Sequence, residues 1–167
     1  SAASDVYKRQ ELVMVLFAKG IQNIAYLGSN MDQMVNRCRY QGYEEAYRKG
    51  KRKLNQDLVY TDLSSRAMVE KAVEELKNSG VECILCQDDY ICDEVVRKLA
   101  RMGVRIPDQM KVASCHYSRI LENYPVTITS LKFNITELGR RSCQVLLDMI
   151  HGKTCLLYTS PSPRDMR

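Results

Sequence analysis

The chain predicts an α/β fold in which a parallel sheet is flanked by helices. Three observations carry that expectation. Short apolar runs recur along the chain, stretches with helical spacing separate them, and glycine or proline stands at most of the junctions. Strands alternating with helices of about 12–18 residues are the pattern of a parallel sheet covered on both faces.

Each element follows from its own residues. Residues 12–18 are apolar and helix-compatible, and Gly20 sits where a helix-terminating glycine belongs. Ile24-Ala25-Tyr26-Leu27 reads as a short buried strand, stopped by Gly28-Ser29-Asn30. Residues 32–49 predict a helix with Met34, Cys38, Tyr43, Ala46 and Tyr47 at helical spacing. The basic run 49–53 is a solvated loop, and 57–61 is the second strand. Ser64 or Ser65 can cap a helix running to Asn78, with Val69, Val73 and Leu76 on one face. Residues 82–86 form the third strand. Asp88 or Asp89 can cap the next helix, which runs to Met102 and buries Ile91, Val95, Val96 and Leu99. Residues 103–108 make a compact turn in which Pro107 bars helical continuation. Residues 110–115 are the fourth strand and 126–131 are extended. A helix over 135–150 carries Leu138, Val145, Leu146, Met149 and Ile150, and Gly152 stops it.

Composition narrows the class. The 167 residues are 45% hydrophobic and 27% charged, as in an ordinary globular protein, and the length favours one domain. No apolar run is long enough for a membrane span, and no secretory pattern opens the chain. Against 20 acidic residues stand 25 basic ones, a formal charge of +5, but they are scattered rather than gathered on a phosphate-gripping face.

The ends do not share the pattern of the middle. Residues 1–10 show no period, and 154–167 close in a Ser/Pro/Arg-rich stretch unfit for a helix or a central strand. Both resemble translated adaptor sequence and are set aside as non-native or disordered ends, leaving 11–153 as the core. The ends hold four basic and two acidic residues, so the core keeps 21 against 18.

Seven cysteines, an odd number partly placed in apolar runs, do not suggest a disulfide framework. They predict a reducing, cytoplasmic setting. Cys83 and Cys86 have CxxC spacing but no second ligand pair. In a strand, moreover, residues three apart point to opposite faces, so no metal is expected.

In an open parallel sheet, ligands bind beyond the carboxyl ends of the strands. That rule selects Gly28-Ser29-Asn30, Thr61-Asp62-Leu63, Gln87-Asp88 and His116-Tyr117. Asp62, Gln87 and His116 offer side chains able to bond a polyol. No GxGxxG, GxxxxGK[ST], GxSxG or HExxH occurs, which argues against an enzyme and leaves no cofactor to expect.

The ordered motifs also resemble a known family. Residues 36–46, NRCRYQGYEEA, look like the RxxGYxxA helix of the effector-binding core of lac-repressor-family (LacI/GalR-type) transcription regulators. Residues 20–28 match the strand before it, Gln87-Asp88 stands at the family's Asn-Asp, and 103–109 matches its GxxxPxD/Q turn. Thr129-Ser130-Leu131 matches the crossover, and 147–153 the closing helix. The resemblance spans nearly all of 11–153. It implies a periplasmic-binding-protein-like (flavodoxin-like) sheet, mostly one lobe of a two-lobed core that binds a sugar-like effector. It further implies a homodimer that contacts DNA through a headpiece not in this chain. It assigns Arg39 to the clamping of ligand hydroxyls and Tyr124 to the subunit contact. Three departures stand out: Gln87 for asparagine, Leu63 for a stacking aromatic, and His116 for an aspartate. The alternative is a solute-binding protein of a sugar transporter, which shares the fold. Seven thiols fit an oxidising periplasm poorly.

Overall fold

A computed structural model describes residues 2–130. The elements run α1 (Ala2–Ala18), β1 (Ile24–Leu27), α2 (Met34–Lys49), β2 (Val59–Tyr60), α3 (Arg66–Lys77), β3 (Cys83–Cys86), α4 (Asp89–Arg101), β4 (Lys111–Ser114), α5 (Arg119–Glu122) and β5 (Ile128–Ser130). The strands form one sheet in the order β2-β1-β3-β4-β5, and every pairing is parallel. The expected parallel α/β architecture is therefore present.

Burial explains the strand composition. A parallel sheet is covered on both faces, so its strands carry nearly continuous apolar runs. β1 and β3 are buried at every position. Their side chains alternate between two cores. Ile24, Tyr26, Cys83, Leu85 and Ala113 meet Leu12, Leu16, Phe17, Tyr43 and Tyr47 from α1 and α2. Ala25, Leu27, Ile84, Cys86 and Val112 meet Val69, Val73, Leu76, Val95 and Leu99 from α3 and α4. Cys83 and Cys86 thus lie on opposite faces of the sheet, as strand geometry requires.

Local signals set the helix boundaries. Ser65 caps α3 by accepting from the Met68 N–H, and Asp88 caps α4 by accepting from the Ile91 N–H at 2.9 Å. Gly20 ends α1 in the left-handed region, with φ of 89°, where a Cβ would be strained though nothing crowds it.

Four expectations need correction or limits. The segment 1–10 is not without structure: α1 is helical from Ala2. No glycine or proline interrupts residues 2–18, so the apolar run 12–17 propagates its helix backwards, and Gln10 and Glu11 are buried with it. The second strand is shorter than 57–61, because Asn55 accepts from the Asp57 N–H and winds 56–58 into a 3-10 turn. A short helix, α5, occupies the loop after the fourth strand, capped by Ser118. The helix expected at 135–150 and the tail 154–167 lie outside the described residues.

The buried thiols make stability depend on pH. Burial pushes Cys83 from its ordinary 9.0 up to about 12, and Cys115 up to about 12 as well. The folded state therefore keeps protons that the unfolded chain releases near 9.0. This contribution is fully present below pH 9 and is lost as the pH rises toward 12. Urea midpoints should fall between pH 9 and 11, and Cys83→Ala should flatten that fall. An unchanged slope in the variant would remove Cys83 from the account.

Candidate functional site

All strands point the same way, so their carboxyl ends share one rim. The main-chain ladder continues past the strands there. The Gln87 N–H donates to Leu27 O at 2.9 Å and the Cys115 N–H to Cys86 O at 2.9 Å. The loops after β1 and β2 are tied together, with the Gly28 N–H on Tyr60 O at 2.7 Å and the Leu63 N–H on Gly28 O at 3.1 Å.

The loop from β1 to α2 is held by three side chains. Gln87 is 1% exposed, and its amide Oε1 accepts from the Ser29 N–H at 3.1 Å. Asn36, in the first turn of α2, donates from Nδ2 to Ser29 O at 3.2 Å and Asn30 O at 3.1 Å. Arg37 donates from Nη1 to Met31 O at 2.9 Å and Asp32 O at 2.6 Å. Asn30 adopts φ of 52°, a left-handed conformation that asparagine tolerates better than most residues.

Gly28 is required here by space. A Cβ would lie 2.5 Å from Gln87 Oε1 and 2.8 Å from Tyr26 Cε1. Glycine thus lets the buried amide pass close to the backbone on its way to Ser29.

Arg39 follows Asn36 by one turn of α2. It is half-buried, its Nη1 makes a long 3.5 Å contact with Asn36 Oδ1, and its Nε is buried with no hydrogen-bond partner among the described residues. Tyr26 lies below it, in β1. Burial raises the Tyr26 hydroxyl pKa well above its usual value, with Cys115 adding to the rise and the Arg39 charge opposing it.

The remaining expected residues are placed differently. Asp62 and His116 are exposed, beyond β2 and β4, so the strand order sets them on either side of the β1–β3 centre. The Ser114 hydroxyl donates to His116 O at 2.6 Å, which fixes the backbone of His116 but engages none of its ring. Leu63, where a stacking aromatic was expected by resemblance, packs into the α3/α4 core. Tyr124 lies away from the rim, in a shallow groove of about 320 Å³ lined with Asp93, Arg97, Ile120 and Asn123. Its hydroxyl donates to Asp93, which also accepts from Arg97 Nε at 3.2 Å.

Two residues of this region escaped the sequence reading. Asn36 could have been found from its spacing, three before Arg39 and so on the same helix face. Tyr26 carried no signal, because inside an apolar run it reads as core.

The Gly28–Gln87 packing is testable. Gly28→Ala should cost about 1–3 kcal/mol in urea unfolding, as overpacking does. Adding Gln87→Ala should recover part of that loss, since the clashing atom is then gone. Fully additive losses would mean that the two sites do not touch.

Comparison with known proteins places this chain in a family. The model of the periplasmic binding protein-like domain matches residues 13–158. The HTH-type transcriptional regulator CelR of Thermobifida fusca is 26% identical over 141 residues, covering 83% of this chain and 42% of CelR. A solved complex of a transcriptional regulator CelR with cellobiose superposes with a TM-score of 0.65 at 25% identity, covering 94% of this chain and 47% of that one. The transcription regulator CcpA of Lactococcus lactis has the same fold, with a TM-score of 0.68 at 19% identity, over 93% of this chain and 57% of its own. The chain spans less than half the length of the curated CelR. Among the described residues, no helix is long and apolar enough to cross a membrane. With the family model covering most of its length, the chain belongs to the periplasmic binding protein-like domain family, and the relatives it matches are transcription regulators.

Proposed function

We propose that this chain is the ligand-sensing portion of a cytoplasmic, DNA-binding transcription regulator. Its effector is a sugar or related polyol bound at the strand-end rim. The intact protein binds DNA through a headpiece outside this chain, and the effector modulates that binding. The observation that carries this reading is Arg39, a half-buried guanidinium set above the strand ends by a helix whose first turn is fastened to the β1–α2 loop. Its planar fork of donors suits a diol or a carboxylate. The relatives, which are transcription regulators and include a complex with cellobiose, support regulation and a sugar over transport or catalysis.

Roles divide by geometry. Arg39 is the principal contact, while Asp62 and His116 reach the effector from the flanks. The amide oxygen of Gln87 is already engaged by Ser29, so Gln87 contributes mainly by shaping the loop.

A charge-assisted hydrogen bond contributes about 1.5–3 kcal/mol, so Arg39→Ala in the intact protein should weaken effector affinity roughly 10- to 150-fold. Calorimetry against cellobiose and a set of simple sugars at fixed salt measures this. The thermal midpoint should hardly move, since no core volume is lost. Unchanged affinity would reduce Arg39 to a surface charge.

The intact protein is proposed to be a homodimer with Tyr124 at the subunit contact. The ring closes the groove beside Ile120 and Asn123, while the hydroxyl stays paired with Asp93, as suits an interface tyrosine. Tyr124→Asp would set a carboxylate against Asp93 and should dissociate the dimer in sedimentation. A dimer persisting at nanomolar concentration would place the contact elsewhere.

A further inference from the structure

We propose that the Tyr26 hydroxyl and the Arg39 Nε–H together form a subsite for one acceptor oxygen of the effector, making Tyr26 a specificity-determining residue. This rests on the polyol reading above and extends it to a residue inside the sheet.

The contrast with neighbouring tyrosines is the starting point. Tyr26 belongs to a ring cluster, with centroids 5.2 Å from Tyr40 and 5.3 Å from Tyr43. Tyr43 donates its hydroxyl to Ile24 O at 2.7 Å, and Tyr47 reaches the same oxygen at 3.3 Å, both at the amino-terminal start of β1. Tyr40 bonds Glu44 and Gln56. Tyr26 alone of these four has a buried hydroxyl with no hydrogen-bond partner among the described residues, and its side chain is wholly buried. Buried polar groups nearly always find partners, because leaving one unpaired is costly.

Position supplies the second step. The Tyr26 ring edge lies under Gly28, and the charged and polar groups acting on its hydroxyl are Cys115, Arg39, Asp88 and Cys86. All but Arg39 sit at or just past the carboxyl ends of β3 and β4, so the hydroxyl faces the rim. Arg39 brings the other unpaired atom: Nε is buried, donates only, and has no acceptor among the described residues. The two groups lie close enough for the Arg39 charge to act on the Tyr26 hydroxyl, and one oxygen with free lone pairs can accept from both. A sugar hydroxyl or ring oxygen provides that. Arg39 lies over the site, so its side chain must shift as the effector enters, which fits its single long anchor to Asn36.

The test uses the intact protein, wild type and Tyr26→Phe, titrated with cellobiose, simple sugars and the monodeoxy analogues of whichever parent binds. In wild type, one deoxy analogue should bind about tenfold more weakly than its parent. Tyr26→Phe should weaken the parent by about 3- to 10-fold and leave that analogue nearly unchanged, so most of the discrimination is lost. Without sugar, its thermal midpoint should stay level or rise by about 2–4 °C, because an unpaired hydroxyl has been removed. Equal weakening toward parent and every analogue would mean a merely structural ring and overturn the proposal. So would unchanged affinity, or a lowered midpoint, which marks a hydroxyl already satisfied within the protein. If wild type binds no sugar at all, the polyol reading falls and this subsite with it. That result differs from a wild type that binds and a variant that matches it.

Discussion

Everything in this domain depends on a sheet that is parallel and covered on both faces. The strands are short, and each position of β1 and β3 faces one of two apolar cores. Polar side chains therefore have almost no place on the sheet. They must stand past the strand ends, where the parallel arrangement gathers them on one rim. The fold makes a binding edge as a consequence of burying its centre.

The rim is built by side chains bonding to backbone. Gln87, Asn36 and Arg37 satisfy the Ser29 amide and the carbonyl groups of residues 29–32, which belong to no ladder. Groups of this kind would otherwise need water. The result is a loop fixed from β3 on one side and from α2 on the other. Gly28 makes the first connection possible, because any side chain there would meet Gln87 Oε1. A substitution at 28 would therefore act on the loop through Gln87, at the end of the neighbouring strand β3.

The sequence was most informative where physics is local. The apolar runs 24–27 and 82–86 each hold a strand, Gly20 ends its helix, and each pair of cap candidates, Ser64 or Ser65 and Asp88 or Asp89, contains the observed cap, since each signal depends on a few adjacent residues. The strand-end rule and the family resemblance between them brought Arg39, Gln87, Asp62 and His116 forward, and two of these, Arg39 and Gln87, converge on the β1–α2 loop. Three things were not legible. The helix over 2–10 has no period of its own and depends on the apolar segment after it. Gln87 reads as a free amide, and only the packing shows its oxygen spent on Ser29. Tyr26 reads as core, and whether its hydroxyl finds a partner depends on elements brought together by tertiary contact.

The way Arg39 is held bears on how a domain like this can signal. Its guanidinium has one long contact at 3.5 Å, while the loop beside it is bound by several short ones. The loop is thus held by more and shorter bonds than the Arg39 guanidinium is, among the described residues. Ordering an arginine costs up to about 2 kcal/mol of side-chain entropy. A single charge-assisted bond returns about 1.5–3 kcal/mol, and a bidentate pair more. On the proposed role, effector binding can offset most or all of the cost of ordering Arg39, whereas the Asn36 contact alone offsets little of it. An arginine that becomes ordered only when the effector arrives gives the two states different contacts at the rim. A ligand can shift a conformational equilibrium only by such a difference.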